Sequence, residues 1–207
     1  MSGLRGRPVR CGYAAEAEAL IAAFEALDSA DVLAPVIDDL PETPGLCLDL
    51  GAGSGRDAAW LAARGHRVWA VEPVAAFRAA GRQRHRGHPI TWVDDRLPNL
   101  TRLRGVGLRF DLILTIGVFH HLSPQAQQEG LTTALERLSP RGRMILSLRH
   151  GPAPAARPGH PVDTDALVAS ATAQGMRIRR LIRGAPSIQP GNRAVGVRRD
   201  WLCLSRE

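Results

Sequence analysis

The sequence predicts an α/β fold: a doubly wound, mostly parallel sheet with helices on both faces. Three observations point there. From residue 46 onward, short apolar runs alternate with helix-like segments at the spacing of strand–helix–strand crossovers. The first run leads directly into the glycine-rich turn Gly51-Ala-Gly-Ser-Gly55, which opens a helix. The last two strand-like runs have no helix between them, so one must run antiparallel to the rest.

Ahead of the alternation, Leu20, Ile21, Phe24 and Leu27 share one face of a helix over 13–27. A second helix starts near Asp31, whose carboxylate can cap free amides, and buries Val32, Leu33, Val36, Ile37 and Leu40. Pro35 is tolerated because it lies close to that start. The segment 41–45, with two prolines and a glycine, then breaks the chain. Residues 46–50 read as a buried strand, 56–64 as a helix ended by Gly65, and 67–71 as a strand closed by Glu72-Pro73. A helix over 74–84, strands at 90–93 and 110–116, and a helix over 124–138 with Ser123 as N-cap follow. The turn Ser139 to Gly142 leads into a fifth strand, 143–148. The tail holds a Pro/Gly-rich loop (151–161), a helix over 163–174 ended by Gly175, and an alternating strand over 176–182. A loop over 184–192 precedes a final strand ending at Trp201-Leu-Cys-Leu204.

Composition bounds the function. A chain of 207 residues, 44% hydrophobic and 23% charged, reads as one soluble domain and is too apolar for disorder. No apolar run approaches the roughly 20 residues of a membrane span. The basic segment 1–10 lacks the apolar core of a signal peptide, so the cytoplasm is the expected compartment. All 27 basic residues are arginine. Without lysine, a P-loop phosphate site, a Schiff-base enzyme and a lysine general base are excluded. Against 20 acidic residues the net charge is +7, but the arginines are scattered, as on a solvated surface rather than a dedicated nucleic-acid face. Cys11, Cys47 and Cys203 form no CxxC, no metal-ligand spacing and no disulfide framework; the latter two sit in apolar runs as small buried hydrophobes.

The chemistry-bearing run is Leu46-Cys-Leu-Asp-Leu-Gly-Ala-Gly-Ser-Gly-Arg-Asp-Ala. Glycines at 51, 53 and 55 let the backbone turn tightly and a ligand lie against the main chain. Glu72 ends the next strand, 21 residues after Gly51, where a carboxylate of a doubly wound sheet faces a nucleoside ribose. The dinucleotide fingerprint GxGxxG is not met, because Arg56 occupies its last glycine position. Asp49 and Asp57 flank the turn, and this acidic rim suits a ligand with a cationic end better than a pyrophosphate.

The run Asp49 to Gly55 with Glu72-Pro73 resembles the first motifs of class I S-adenosylmethionine-dependent methyltransferases. Trp92-Val-Asp-Asp-Arg-Leu-Pro98, Phe110 to Thr115 with Val118-Phe-His-His-Leu122, and Leu138 to Ser147 resemble later motifs in the family's order. The tail fits the antiparallel hairpin that closes the family's seven-stranded, Rossmann-like sheet. The resemblance implies one domain: an N-terminal helical cap (1–44), a cofactor-binding core (45–150), and a C-terminal helix and hairpin (151–207).

It also implies roles. Gly51, Ala52 and Gly53 would set backbone amides and carbonyls against the cofactor's amino acid end, with Asp49 beneath them holding the ammonium directly or through water. Asp49 as a purely structural tie of the loop stays open. Glu72, beside Pro73, would bind the ribose hydroxyls. Asp95, or alternatively Asp94, would accept from the adenine amino group while the Arg96 amide donates to the ring, the alternative being a plain turn. Thr115 and Ile116 would line the floor near the sulfonium, and Tyr13 would close over the cofactor carboxylate or simply pack.

His120, His121 and His150 follow the fourth and fifth strands at the carboxyl edge of the sheet, as candidates for a general base or substrate contact; an anchoring role for the pair is the alternative. His66, His85, His88 and His160 read as surface or loop residues. The resemblance implies methyl transfer from S-adenosylmethionine with release of S-adenosylhomocysteine. No Asn/Asp-Pro-Pro-Tyr/Phe tetrad follows the fourth strand, which argues against DNA adenine or glutamine methylation. A small molecule is the leading acceptor, with tRNA or an acidic protein as further candidates. An NAD-dependent oxidoreductase and a non-catalytic cofactor-binding protein are the alternatives.

Overall fold

The computed structural model describes residues 7–206 and contains seven strands: β1 (Leu46–Leu50), β2 (Arg67–Val71), β3 (Ile90–Val93), β4 (Phe110–Ile116), β5 (Leu138–His150), β6 (Arg177–Pro186) and β7 (Arg198–Ser205). The start of the basic N-terminal segment, residues 1–6, lies outside the described residues. The helices are α1 (Arg7–Ala15), α2 (Ala17–Glu25), α3 (Ser29–Leu33), α4 (Arg56–Ala63), α5 (Ala75–Arg84), α6 (Pro124–Leu135), α7 (Thr164–Ala173) and α8 (Pro190–Ala194). None is long and apolar enough to cross a membrane.

One sheet takes all seven strands in the order β3-β2-β1-β4-β5-β7-β6. The first five pair in parallel, while β7 inserts between β5 and β6 and runs antiparallel to both. The final strand is thus the antiparallel one, as the missing crossover helix requires. Strands buried on both faces divide the core. Leu48, Leu50, Ile113, Met144 and Leu146 face α6 and α7, packing with Leu131, Leu135 and Leu167. Cys47, Leu112, Leu114, Ile145 and Cys203 face α3 and α4, packing with Leu33, Ala58 and Leu61. This two-sided burial is why the parallel strands read as continuous apolar runs instead of alternating.

Several elements depart from the sequence expectation. The helix expected over 13–27 is two, because the chain leaves helical geometry at Glu16 (φ −104°, ψ 13°). The cap of α3 is Asp28, not Asp31: the Ala30 N–H donates to Asp28 Oδ1 at 2.8 Å. Pro35 then lies at the start of a 3-10 segment, Ala34–Asp39, where its missing N–H leaves no helical bond unmade. β5 begins at Leu138, five residues early, since the turn at 139–142 forms an irregularity within the strand. β6 extends to Pro186, and α8 forms inside the loop expected over 184–192. Ser123 and Asp163 do cap α6 and α7, accepting from the Ala126 and Ala166 N–H groups. His66 is buried, not on the surface; its Nδ1 accepts from the Gly45 N–H at 3.1 Å.

Candidate functional site

Strand order reverses between β1 and β4, whose carboxyl ends diverge into helices on opposite faces; such a switch point opens a crevice. Here the crevice widens into a cavity of about 1300 Å³, reaching from the glycine turn after β1 to the tail strands.

The glycine turn depends on its residue types. Gly51 and Gly53 sit at φ +76° and +56°, and a Cβ on Gly51 would stand 2.4 Å from Val118 Cγ2. The Gly51 and Ala52 N–H groups donate to the Val71 carbonyl at 2.8 and 3.0 Å. The Gly53 N–H donates to Glu72 Oε2 at 2.9 Å. All three residues line the cavity, but these amides are already engaged and the Ala52 carbonyl accepts from the Gly55 N–H at 2.9 Å, which leaves the Gly51 and Gly53 carbonyls as the freest polar groups for a ligand.

Glu72 directly follows β2 at the cavity wall, beside Pro73. Its Oε1 accepts from the Val74 N–H at 2.8 Å. Burial pushes the carboxyl up to about 7, although the two amide donors and the Arg78 guanidinium oppose this. Asp49 lies under the turn, buried, with Oδ2 lacking any hydrogen-bond partner. Burial, reinforced by the Asp57 carboxylate, holds its carboxyl well above the ordinary range, with Arg56 opposing. A buried acid with an unpartnered oxygen at a cavity wall fits a cationic ligand group or a water linking to one.

Arg56, at the position where a dinucleotide fold places a glycine, performs a closing role. Its Nη2 pairs with Asp57 Oδ2 at 2.8 Å, and its Nη1 donates to the Phe24 carbonyl at 3.1 Å. Ser29 Oγ donates to the other Asp57 oxygen at 2.7 Å. The first two residues of α4 thus tie down the end of α2 and the start of α3 over the turn.

Among the other candidates the structure separates neighbours. Asp94, just past the end of β3, is exposed, outside the cavity, and paired with Arg78 at 2.8 Å. Asp95 lines the cavity. Its Oδ1 accepts from the Arg96 N–H and its Oδ2 from the Arg102 and Leu103 N–H groups, so it organises the following loop. Three of about four lone-pair sites are engaged and one remains on Oδ1. The Arg96 amide is engaged by that same carboxylate. Ile116 lines the cavity, whereas Thr115 does not: fully buried one residue earlier, it faces the other side of the sheet.

His120 and His121 form a short 3-10 turn with Phe119 after β4, and both line the cavity. His121 Nδ1 lies 3.3 Å from the Pro158 carbonyl, which only an N–H can satisfy. Nε2 therefore accepts from Tyr13 O–H at 2.9 Å. Tyr13, from α1, also meets Phe77 and His121 edge-on. Burial drives His121 down to about 4 and His120 to about 2, so both rings are neutral at physiological pH. The loop 151–161 covers them: the His160 N–H donates to the His120 carbonyl at 2.6 Å, and Arg157 pairs with Glu16 at 3.0 Å. His160, expected in a surface loop, lines the cavity from this position. His150 does not. It ends β5 beyond the cavity, with Nε2 3.1 Å from Asp200 Oδ2.

The sequence reading missed Arg149, Arg199 and Trp201 in the lining. Arg149 and Arg199 are cross-strand partners on β5 and β7, and Ser147 and Trp201 are the next such pair on that face. Their convergence depends on the insertion of β7, which no local pattern encodes.

Comparison with known proteins bears on this architecture. A family model described as a methyltransferase domain matches residues 48–144. No curated protein matches the chain. Among solved structures, the 1,6-didemethyltoxoflavin-N1-methyltransferase of Burkholderia thailandensis superposes with TM-score 0.70 at 23% identity, over 96% of this chain and 87% of that one. A TehB-like S-adenosylmethionine-dependent methyltransferase of Corynebacterium glutamicum gives TM-score 0.67 at 19% identity, over 93% and 99%. The magnesium protoporphyrin IX methyltransferase of Synechocystis, with S-adenosylmethionine bound, gives 0.64 at 15%, over 100% and 86%. The sheet order, the turn after β1 and the matched segment agree: residues 48–144 match a methyltransferase domain, and the chain has the Rossmann-like fold of the class I S-adenosylmethionine-dependent methyltransferases.

Proposed function

We propose that the protein transfers the methyl group of S-adenosylmethionine to a small-molecule acceptor. The observation that carries this is the acidic cradle at the glycine turn: buried Asp49 with its unpartnered Oδ2, and Glu72 at the end of β2, both on the cavity wall. Two acids beneath the turn offer a pyrophosphate no counter-charge but suit a ligand with an ammonium and a ribose. That argues against the oxidoreductase reading.

When bound, S-adenosylmethionine supplies an electrophilic methyl on a sulfonium, and S-adenosylhomocysteine remains after attack by a nucleophile. In this reading Asp49 and the carbonyls of Gly51, Ala52 and Gly53 hold the ammonium, and Glu72 beside Pro73 accepts from the ribose hydroxyls. The lone pair left on Asp95 Oδ1 accepts from the adenine amino group. Ile116 lines the floor where the end of β4 meets the cavity. Tyr13 and the loop 151–161 exclude water above the reacting atoms. His120 and His121, neutral and shielded, can take a proton when the acceptor must lose one. Residues 1–44 then act as a cap, 45–150 as the cofactor-binding core, and 151–207 as the acceptor side. The solved structures of proteins named for small-molecule methylation support a small acceptor.

Isothermal titration with S-adenosylhomocysteine and with NAD tests the reading. Binding of the first alone is expected, and binding of NAD alone would overturn it. Turnover against an acceptor panel separates an enzyme from a non-catalytic binder.

A further inference from the structure

We propose that the acceptor side of the cavity takes an anionic substrate, a carboxylate or comparable oxyanion gripped by Arg149 and Arg199. The inference rests on the methyltransferase reading and names its substrate class.

Charge is divided across the cavity. Asp49, Asp57, Glu72 and Asp95 line the glycine-turn side, where Arg56 is held by Asp57 and Arg96 adjoins Asp95, so acids outnumber cations there. Across from them, Arg149 near the end of β5 and Arg199 on β7 stand directly opposite each other in the antiparallel register. Like charges in cross-strand positions repel and weaken a sheet. A counter-ion within the fold would relieve this, yet among the described residues neither guanidinium has a carboxylate within salt-bridge distance. Arg149 donates only to the carbonyls of Gly151 and Pro152, and Arg199 only to Ser147 Oγ at 3.0 Å. Each fork therefore keeps donors in reserve.

Both are withdrawn from water. Arg149 is 8% exposed and Arg199 is half-buried. Burial, then the neighbouring Arg149, pushes the Arg199 guanidinium down to about 10. Two adjacent cations withdrawn from water, one buried and one half-buried, and both without a carboxylate partner, are an expensive arrangement unless an anion completes it. Guanidinium forks match the planar geometry of an oxyanion.

The position suits an acceptor. Arg199 Nη1 lies 3.0 Å from where a Cβ on Gly117 would stand, directly after β4 and beside the His120–His121 turn. Trp201, two residues along β7 on the same face, gives the cavity an apolar wall that Ile188 and Val118 extend. A volume of about 1300 Å³ exceeds the roughly 300–1,000 Å³ typical of one small ligand, so a second ligand fits beside the first. An acid with an apolar body matches this chemistry: its charge meets the arginines and its body meets Trp201.

The test is isothermal titration in two stages on the full chain. S-adenosylhomocysteine is bound first. Benzoate against benzamide, and indole-3-acetate against indole-3-acetamide, are then titrated into that complex. The acids should bind at least about tenfold tighter than their amides. In Arg149→Gln and Arg199→Gln this preference should fall to about twofold or less, with S-adenosylhomocysteine affinity kept. Equal binding of acids and amides, or none of either, with S-adenosylhomocysteine still bound, overturns the inference and leaves the methyltransferase reading standing. A large loss of S-adenosylhomocysteine affinity in both variants assigns the arginines to the cofactor's own carboxylate and likewise overturns it. Failure of the unaltered protein to bind S-adenosylhomocysteine removes the underlying reading and this inference with it. The acid–amide comparison needs no variant, so misfolding of a substituted chain does not protect the idea.

Discussion

Two carboxyls, Asp49 and Glu72, are pushed toward their protonated forms, because burial penalises their charge. For Glu72 the consequence has a definite sign. Its value is about 7 in the folded chain against an ordinary 4.5, so between those values the folded state binds the extra proton. Stability of the ligand-free protein from this group falls as pH rises from about 4.5 through about 7. Thermal melts of wild type and Glu72→Gln over pH 5–8 should diverge, with the variant losing that part of the slope; parallel curves would remove the effect. Ligand binding that favours both charged carboxylates should release protons, read as a dependence of binding enthalpy on buffer ionisation at pH 7. Replacing Glu72 by Ala should weaken S-adenosylhomocysteine by roughly 1.5–3 kcal/mol, the range for hydrogen bonds to a charged group. The histidine pair shifts the opposite way. With His121 at about 4, a proton-taking role would leave the rate flat across pH 5.5–7.5, and an inflection near 6.5 abolished in His121→Ala would contradict the neutral pair.

Elements close the site over these residues. Gly12 on α1 lies so near the loop 151–161 that a Cβ there would stand 1.8 Å from the Ala156 carbonyl oxygen. Backbone cannot yield as a side chain can, so Gly12→Val should push the loop off α1 and break the approach of Arg157 to Glu16. Limited proteolysis should then cut within 151–161 sooner, with weaker ligand binding; an unchanged cleavage rate would show that the loop does not depend on α1. Gly53→Val is expected to abolish ligand binding while the fold survives, since it fills the cradle at φ +56°. Its far-ultraviolet spectrum and S-adenosylhomocysteine titration check both halves of that statement.

For the whole molecule, α1, the carboxyl edge of the sheet and the tail strands all line the cavity, so a ligand bound there would link them. A ligand that binds only the folded chain, at a hundredfold excess over its Kd, adds about 2.7 kcal/mol of stability. In a domain of 207 residues that raises the melting temperature by roughly 5–10 °C. S-adenosylhomocysteine should produce this shift and NAD should not. The net charge is +7, but in the proposed reading it is the paired Arg149 and Arg199 in the cavity wall, not that total, that select an acceptor.

The sequence by itself determined the parallel core. Buried strands at 46–50, 67–71 and 110–116 and the half-buried strand at 90–93 carry their own apolar signature, and the turn at 51–55 with Glu72 at the next strand end marks the crevice. These signals are local, because each element is specified by neighbours within a few residues of chain. Tertiary structure alone decided which member of a pair faces the cavity, separating Asp95 from Asp94, Ile116 from Thr115, and His120 and His121 from His150. It also brought Arg149 and Arg199 together, because that meeting depends on the register of β7 between two strands distant in sequence. A register shift of one residue would turn Arg199 to the other face, and no pattern within a strand records which register its partners will impose.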